Sequence, residues 1–198
     1  MRRALVVLSM CLAGCLGPRA DPSAYFLLSP APTPAEGGPL QVVVGIGPVT
    51  IPGYLDRPQI VVRVSDNEVA VSEVDRWAEP LGANLARVLQ ENLSLLLPSS
   101  TYVDYPWYES DAPDYGVGLD VRRFESDATG AVVLEATWRL TGGGSALDGG
   151  TVRIDEAAVA VGRAPAVAAQ SRALAELSRQ IAAAVRRAEE RAPANLRP

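Results

Sequence analysis

Between Tyr115 and Val161 apolar and polar side chains alternate with a period of two, and this constrains the fold more than any other feature of the chain. Tyr115, Val117, Leu119 and Val121 share one face, and Val132, Leu134, Ala136, Trp138 and Leu140 share the next. Residues 126–130, Ser-Asp-Ala-Thr-Gly, turn the chain between them. GGGSALDGG, residues 142–150, reads as a long flexible tip before a third strand over 151–161. Alternation of this kind places one face on a core and the other in water, as in an antiparallel meander.

The covered face needs helices, and two periodic segments supply them. After Pro80, which suits a helix start, Leu81, Leu85, Val88, Leu89, Asn92 and Leu96 fall on one side, and Pro98 stops the run. Arg87 and Glu91 lie on its wet side. An alanine-rich helix follows over 165–191, with Leu174, Leu177, Ile181, Val185 and Ala188 as its apolar stripe. Upstream, 40–51 is rich in β-branched residues and reads as a buried strand, 25–29 as a brief one, and 60–64 with 68–72 as a hairpin. The expected fold is a single α+β domain with two main helices against one sheet, mostly antiparallel, a mixed sheet being the alternative.

The first residues belong to a different kind of segment. Met1-Arg2-Arg3 is basic, and the apolar run from Ala4 to Leu12 falls short of the roughly 20 residues a spanning helix needs. Leu12-Ala13-Gly14-Cys15 follows directly, so 1–14 reads as an export signal ending in a lipobox, with acyl lipid on Cys15. A plain secretory signal is the alternative. Residues 15–24 suit a flexible tether, 25–192 the domain, and 193–198 a disordered tail. Cys11 lies in the segment to be removed, so the mature chain has one cysteine and no internal disulfide. About 180 mature residues, with 48% apolar composition, can supply one core without one.

Composition also limits chemistry. All 18 basic side chains are arginine, histidine is absent, and the net charge is −5. A nucleic-acid surface needs a clustered basic face, which is missing, and the usual nucleophile–base pairs lack their base. No cofactor other than the acyl lipid is expected. Gly45 and Gly47 lack the third glycine and helix of a dinucleotide motif, and read as a strand closely approached by backbone. Asp104, Glu109, Asp111 and Asp114 can offer oxygen ligands to a hard cation, but two prolines interrupt them and a solvated acidic loop is the simpler reading. The same segment holds Tyr102, Tyr105, Trp107, Tyr108 and Tyr115; rings of this kind suit either core packing or a partner interface. In IPGYLDRPQIVVR, residues 51–63, Tyr54, Asp56 and Arg57 sit between two prolines. That pattern fits a structural corner, a partner contact or, least well, an active site. Arg57 can pair with Asp56 or with Glu79.

That stretch, Arg76-Trp77-Ala78-Glu79-Pro80-Leu81, Tyr105-Pro106-Trp107, Tyr25-Phe26-Leu27-Leu28, Val121-Arg122-Arg123-Phe124 and Ala175-Glu176-Leu177-Ser178 occur in an order similar to that of the ABC-type transport auxiliary lipoproteins, of the paraquat-inducible lipoprotein C type. The resemblance spans the mature chain. It implies a non-enzymatic lipoprotein subunit of an envelope lipid-transport system, partnered by a mammalian-cell-entry domain protein, with a homo-oligomer as a further possibility. Tyr54, Asp56, Arg57, Tyr105, Trp107 and Tyr108 are then the candidate partner-facing residues. Leu16 after the cysteine, in place of an aspartate, favours sorting to the outer membrane with the domain facing the periplasm. The competing readings are a stand-alone structural envelope lipoprotein and a carboxylate-based envelope hydrolase built on residues such as Glu109 and Asp114.

Overall fold

The computed structural model describes residues 22–31, 37–108 and 112–192. Its strands are β1 (Ala24–Phe26), β2 (Val43–Thr50), β3 (Gln59–Ser65), β4 (Glu68–Trp77), β5 (Thr101–Asp104), β6 (Tyr115–Asp127), β7 (Val132–Gly142) and β8 (Ser145–Glu156). The helices are α1 (Leu81–Leu96) and α2 (Arg163–Arg191). The eight strands form one mixed sheet.

β6, β7 and β8 make the antiparallel meander that the alternation predicts. The flexible tip does not exist. Gly143 and Gly144, both at positive φ, make a tight turn, and Ser145–Gly150 are already strand. Ladder hydrogen bonds to β7 hold this glycine-rich stretch, so a composition typical of loops is overridden by a long partner. Consequently the third strand, expected over 151–161, runs from Ser145 to Glu156, with 157–162 as a loop.

On its other side β6 has two neighbours in succession. Its first half pairs in parallel with β2, from Val44↔Tyr115 to Thr50↔Asp120, and its last residues pair in parallel with β3 at Val62↔Ser126. The sheet therefore forks, with β5 beyond β2 and β4 then β1 beyond β3, and residues 51–58 turn the corner at the fork. β5, in a segment whose composition suggests a loop, is an edge strand parallel to β2.

Both helices cover one face. On α1, Leu81, Leu85, Val88, Leu89, Leu93 and Leu96 are buried together with Asn84 and Asn92. The two asparagines are not left unsatisfied. Leu28 N–H donates to Asn84 Oδ1 (2.9 Å), Ala31 N–H donates to Asn92 Oδ1 (3.2 Å), and Asn92 Nδ2 donates to Ser178 Oγ (3.1 Å). The helices run in the same direction, since Arg186 on α2 reaches the Leu96 carbonyl at the end of α1. With 29 residues, α2 is about 43 Å long and sets the long axis of the domain. One end holds the start of α2, where Arg163 pairs with Asp75, itself opposite Ala24. The other holds the end of α2, where Tyr115 O–H donates to Glu189 and Arg187 pairs with Asp148.

Candidate functional site

The 51–58 corner is a compact turn in which the Leu55 and Asp56 N–H groups donate to the Pro52 carbonyl at 2.9 and 3.3 Å. Leu55 is buried, while Asp56 and Arg57 point into solvent. Glu79 does not meet Arg57. It is engaged by Asn84 and by Arg87, which also pairs with Glu91 one turn along α1.

Tyr54 lies over the fork and donates to Glu125 Oε2 at 2.8 Å. Glu125 is 1% exposed although it sits on the sheet face away from the helices. A register shift between Val121 and Arg123 moves Phe124 and Ser126 to the core side and leaves Glu125 on the outer side. There it accepts from Arg63 (2.8 Å), from Arg123 (3.0 Å) and from the Phe124 N–H (3.1 Å). Burial by itself would raise the Glu125 carboxyl; hydrogen bonds from Tyr54, Arg63 and Arg123 outweigh it and hold it below the usual range. Burial, reinforced by Glu125, pushes the Tyr54 hydroxyl well up, so it donates and does not ionise. The Arg63 guanidinium stacks over the Tyr54 ring, 5.8 Å from its centre. From this node the charges continue across the strands: Arg123 to Glu135 at 3.7 Å, Glu135 to Arg153, and Arg153 to Asp155 at 2.9 Å.

The sequence reading missed Glu125, Arg63 and Arg123. Their signal was a glutamate where apolar alternation resumes out of phase after Val121, legible only once the bulge is known.

Further along the same outer face, Trp107 lies on the strand backbone. A Cβ on Gly45 would come within 2.8 Å of its ring and within 2.6 Å of Pro113, and one on Gly116 within 3.2 Å of the ring. The two glycines, adjacent in the β2–β6 register, make the bed for the indole. Gly47, at φ +120°, has no room for a Cβ beside Tyr105 (2.6 Å). The Tyr105 ring meets Trp107 edge-to-face at 5.4 Å between centres. Tyr105 is 54% exposed and Tyr108 74%. Of the other rings in this segment, Tyr102 packs against the core, where burial pushes its hydroxyl up to about 12.

Three predicted features lie partly or wholly outside the described residues: Cys15 with the signal and tether up to residue 21, the 193–198 tail, and Glu109 with Asp111. Asp114, the remaining member of the proposed carboxylate pair, accepts from the Val43 N–H at 2.7 Å and so serves β2. Among the described residues no three acidic side chains gather as metal ligands, and no helix is long and apolar enough to cross a membrane. A mostly apolar cleft of about 570 Å³ opens between the end of α2 and the β7–β8 turn, lined by Val42, Tyr115, Leu147, Ala184 and Ala188.

The forked mixed sheet is thus backed by two parallel helices, with the buried charge of Glu125 met by its neighbours and with Tyr105 and Tyr108 exposed. Comparison with known proteins gives the family. The model of the ABC-type transport auxiliary lipoprotein component matches residues 25–182, and the chain belongs to that family. The chain is 27% identical over 142 residues to the intermembrane transport lipoprotein PqiC of Escherichia coli (strain K12), covering 71% of this chain and 74% of that protein; PqiC of Shigella flexneri matches equally. A crystal structure of a Xanthomonas campestris protein superposes with a TM-score of 0.68 at 20% identity, covering 85% of this chain and 97% of the other. A second, uncharacterised protein gives 0.65 at 22% identity, with 82% and 98% covered. Both share the fold. The family is one of transport auxiliary lipoproteins and not an enzyme family.

Proposed function

We propose that this protein is the docking subunit of an intermembrane lipid-transport system, held at the outer membrane by acyl chains on Cys15 and facing the periplasm. Its partner is a mammalian-cell-entry domain protein. In this reading 1–14 is the removed signal, and stable attachment comes from two or more acyl chains, since one alone binds only marginally.

The observation that carries the reading is the extent of the family match. It runs from β1 through most of α2, so it describes the whole folded domain and not a motif within it. The geometry supports it: the buried carboxylate Glu125 is met by donors from four residues and kept charged, which suits it to holding the fork and not to proton transfer. The surface left for a partner is the exposed part of the outer face, with Tyr105, Trp107 and Tyr108 as its centre and Asp56 with Arg57 as its polar flank. Tyr54 holds the corner that presents Asp56 and Arg57 through its bond to Glu125.

The test is capture of the intact lipoprotein from detergent-solubilised membranes, beside Cys15→Ala, with partners identified by mass spectrometry. Recovery of a mammalian-cell-entry domain protein by both forms supports docking through the folded domain. Recovery of no transport component by either form overturns the proposal.

A further inference from the structure

The exposed apolar side chains of the domain are unevenly placed. Val159 and Val161 are 85% and 82% exposed, the highest values among the large hydrophobics of the described residues. They lie in the 157–162 loop, immediately ahead of α2. Tyr25 and Leu27, also exposed, flank the point where the N-terminal segment joins the sheet.

These four residues belong to one end of the molecule. Arg163, two residues after Val161, pairs with Asp75 at 3.0 Å; Asp75 is the register partner of Ala24, one residue before Tyr25. Leu27 lines a depression together with Ala164 and Val167 from the first turn of α2. The loop is also fixed in place. Arg172 donates to the Ala157 carbonyl at 2.6 Å, and Ala158 packs so closely on the 127–131 turn that a Cβ on Gly130 would come within 2.9 Å of it. Held by Ala158, the loop turns Val159 and Val161 outward, where they have no core to join.

We infer that this end of the domain rests on the lipid surface that holds the acylated Cys15, with Val159 and Val161 entering its interfacial layer beside Tyr25 and Leu27. Only eight residues lie between Cys15 and Ala24, a reach of about 30 Å over nine extended steps, so the tether keeps this end near the bilayer. Exposed apolar side chains are what settles in the headgroup region, and the charges at the rim of this patch are paired within the domain, Arg163 with Asp75 and Arg172 with Glu156, so the apolar side chains carry the contact. The contact gives the domain a fixed orientation. The long axis of α2 then carries the opposite end, where Tyr115 meets Glu189 and Arg187 pairs with Asp148, away from the membrane.

This inference rests on the lipid-anchor reading, and one experiment separates the two. The full-length lipidated protein carries Val161→Cys or, as a control, Leu95→Cys near the far end of α1. Each introduced thiol is labelled with an environment-sensitive dye, the acylated Cys15 having no free thiol. The proteins are reconstituted into vesicles of phosphatidylethanolamine and phosphatidylglycerol that include a lipid bearing a headgroup-level quencher. Quenching several-fold greater at 161 than at 95, and reduced by adding Val159→Asp, is the expected result. Equal, weak quenching at both sites in protein that sediments with the vesicles overturns the contact and leaves the anchor standing. Failure of protein with intact Cys15 to sediment overturns both.

Discussion

The outer face of the sheet is built in two opposite ways. Around Glu125 it is filled: a carboxylate, two guanidinium groups and a phenol are packed until each has found another. Around Trp107 it is emptied: Gly45 and Gly116 withdraw their side chains so that an indole can lie on the backbone. The filled region has its bonding capacity taken up internally and fastens β3 to β6. The emptied region holds its indole by shape and leaves Tyr105 and Tyr108 open beside it. Charge therefore serves the fold here, and aromatic surface is what remains for recognition.

Removing the carboxylate should give the largest effect. Glu125→Ala leaves Arg63, Arg123 and the Tyr54 hydroxyl facing one another without their acceptor. Breaking a buried pair costs about 3–5 kcal/mol, and because both guanidinium groups reach water the loss expected in urea unfolding is about 2–4 kcal/mol. The same contrast has a pH signature. A carboxyl held below its unfolded value contributes stability that is fully present above the unfolded pKa of roughly 4.3 and is lost as pH falls through the folded one. The stability gap between the wild type and Glu125→Gln should therefore be constant near neutrality and close in acid. A gap that widens on acidification would break the assignment.

Next comes the emptied region. Gly45→Ala must displace Trp107 or Pro113, at a cost of about 1–3 kcal/mol, and should shift the tryptophan emission as the indole leaves its bed. Unchanged emission with unchanged stability would mean that the glycines are not what holds the ring. Tyr54→Phe deletes the hydroxyl's bond to Glu125 and its longer approach to the Arg122 carbonyl while leaving the ring under Arg63, and should cost about 1–2 kcal/mol. Smallest is Tyr108→Ala, within about 0.5 kcal/mol of wild type because the ring is largely in water. If the region serves a partner, that same substitution should weaken capture of the transport component, whereas Tyr54→Phe should leave it intact.

The elements that could be read from the chain are those whose period reports a neighbour close in sequence. The α1 stripe from Leu81 to Leu96 and the β6–β7 alternation are of this kind, and each appears where expected. What escaped depends on partners far along the chain. β5 is a strand because β2 lies beside it, more than fifty residues earlier, and its four residues carry no period of their own. Gly149 and Gly150 look like loop but hydrogen-bond as strand because β7 is long enough to carry them. Of the candidate site, the aromatic segment was legible from composition. Glu125 was hidden by the bulge that reverses which face it occupies, and the pairing of Arg57 with Glu79 does not form because Arg87, in the second turn of α1, takes Glu79.

The fork at β6 also dictates an order of events in synthesis. β2 and β3 have finished emerging by residue 65, yet the strand that joins them begins only at residue 115. Until then β2 and β3 present open hydrogen-bonding edges, and each is a template for pairing with a stray chain. The domain closes only when a late segment is laid between two early ones, a long-range event that topology makes slow. β4 closes one edge of β3 and β5 one edge of β2 before β6 arrives, but the two edges that face each other across the fork stay open until it does.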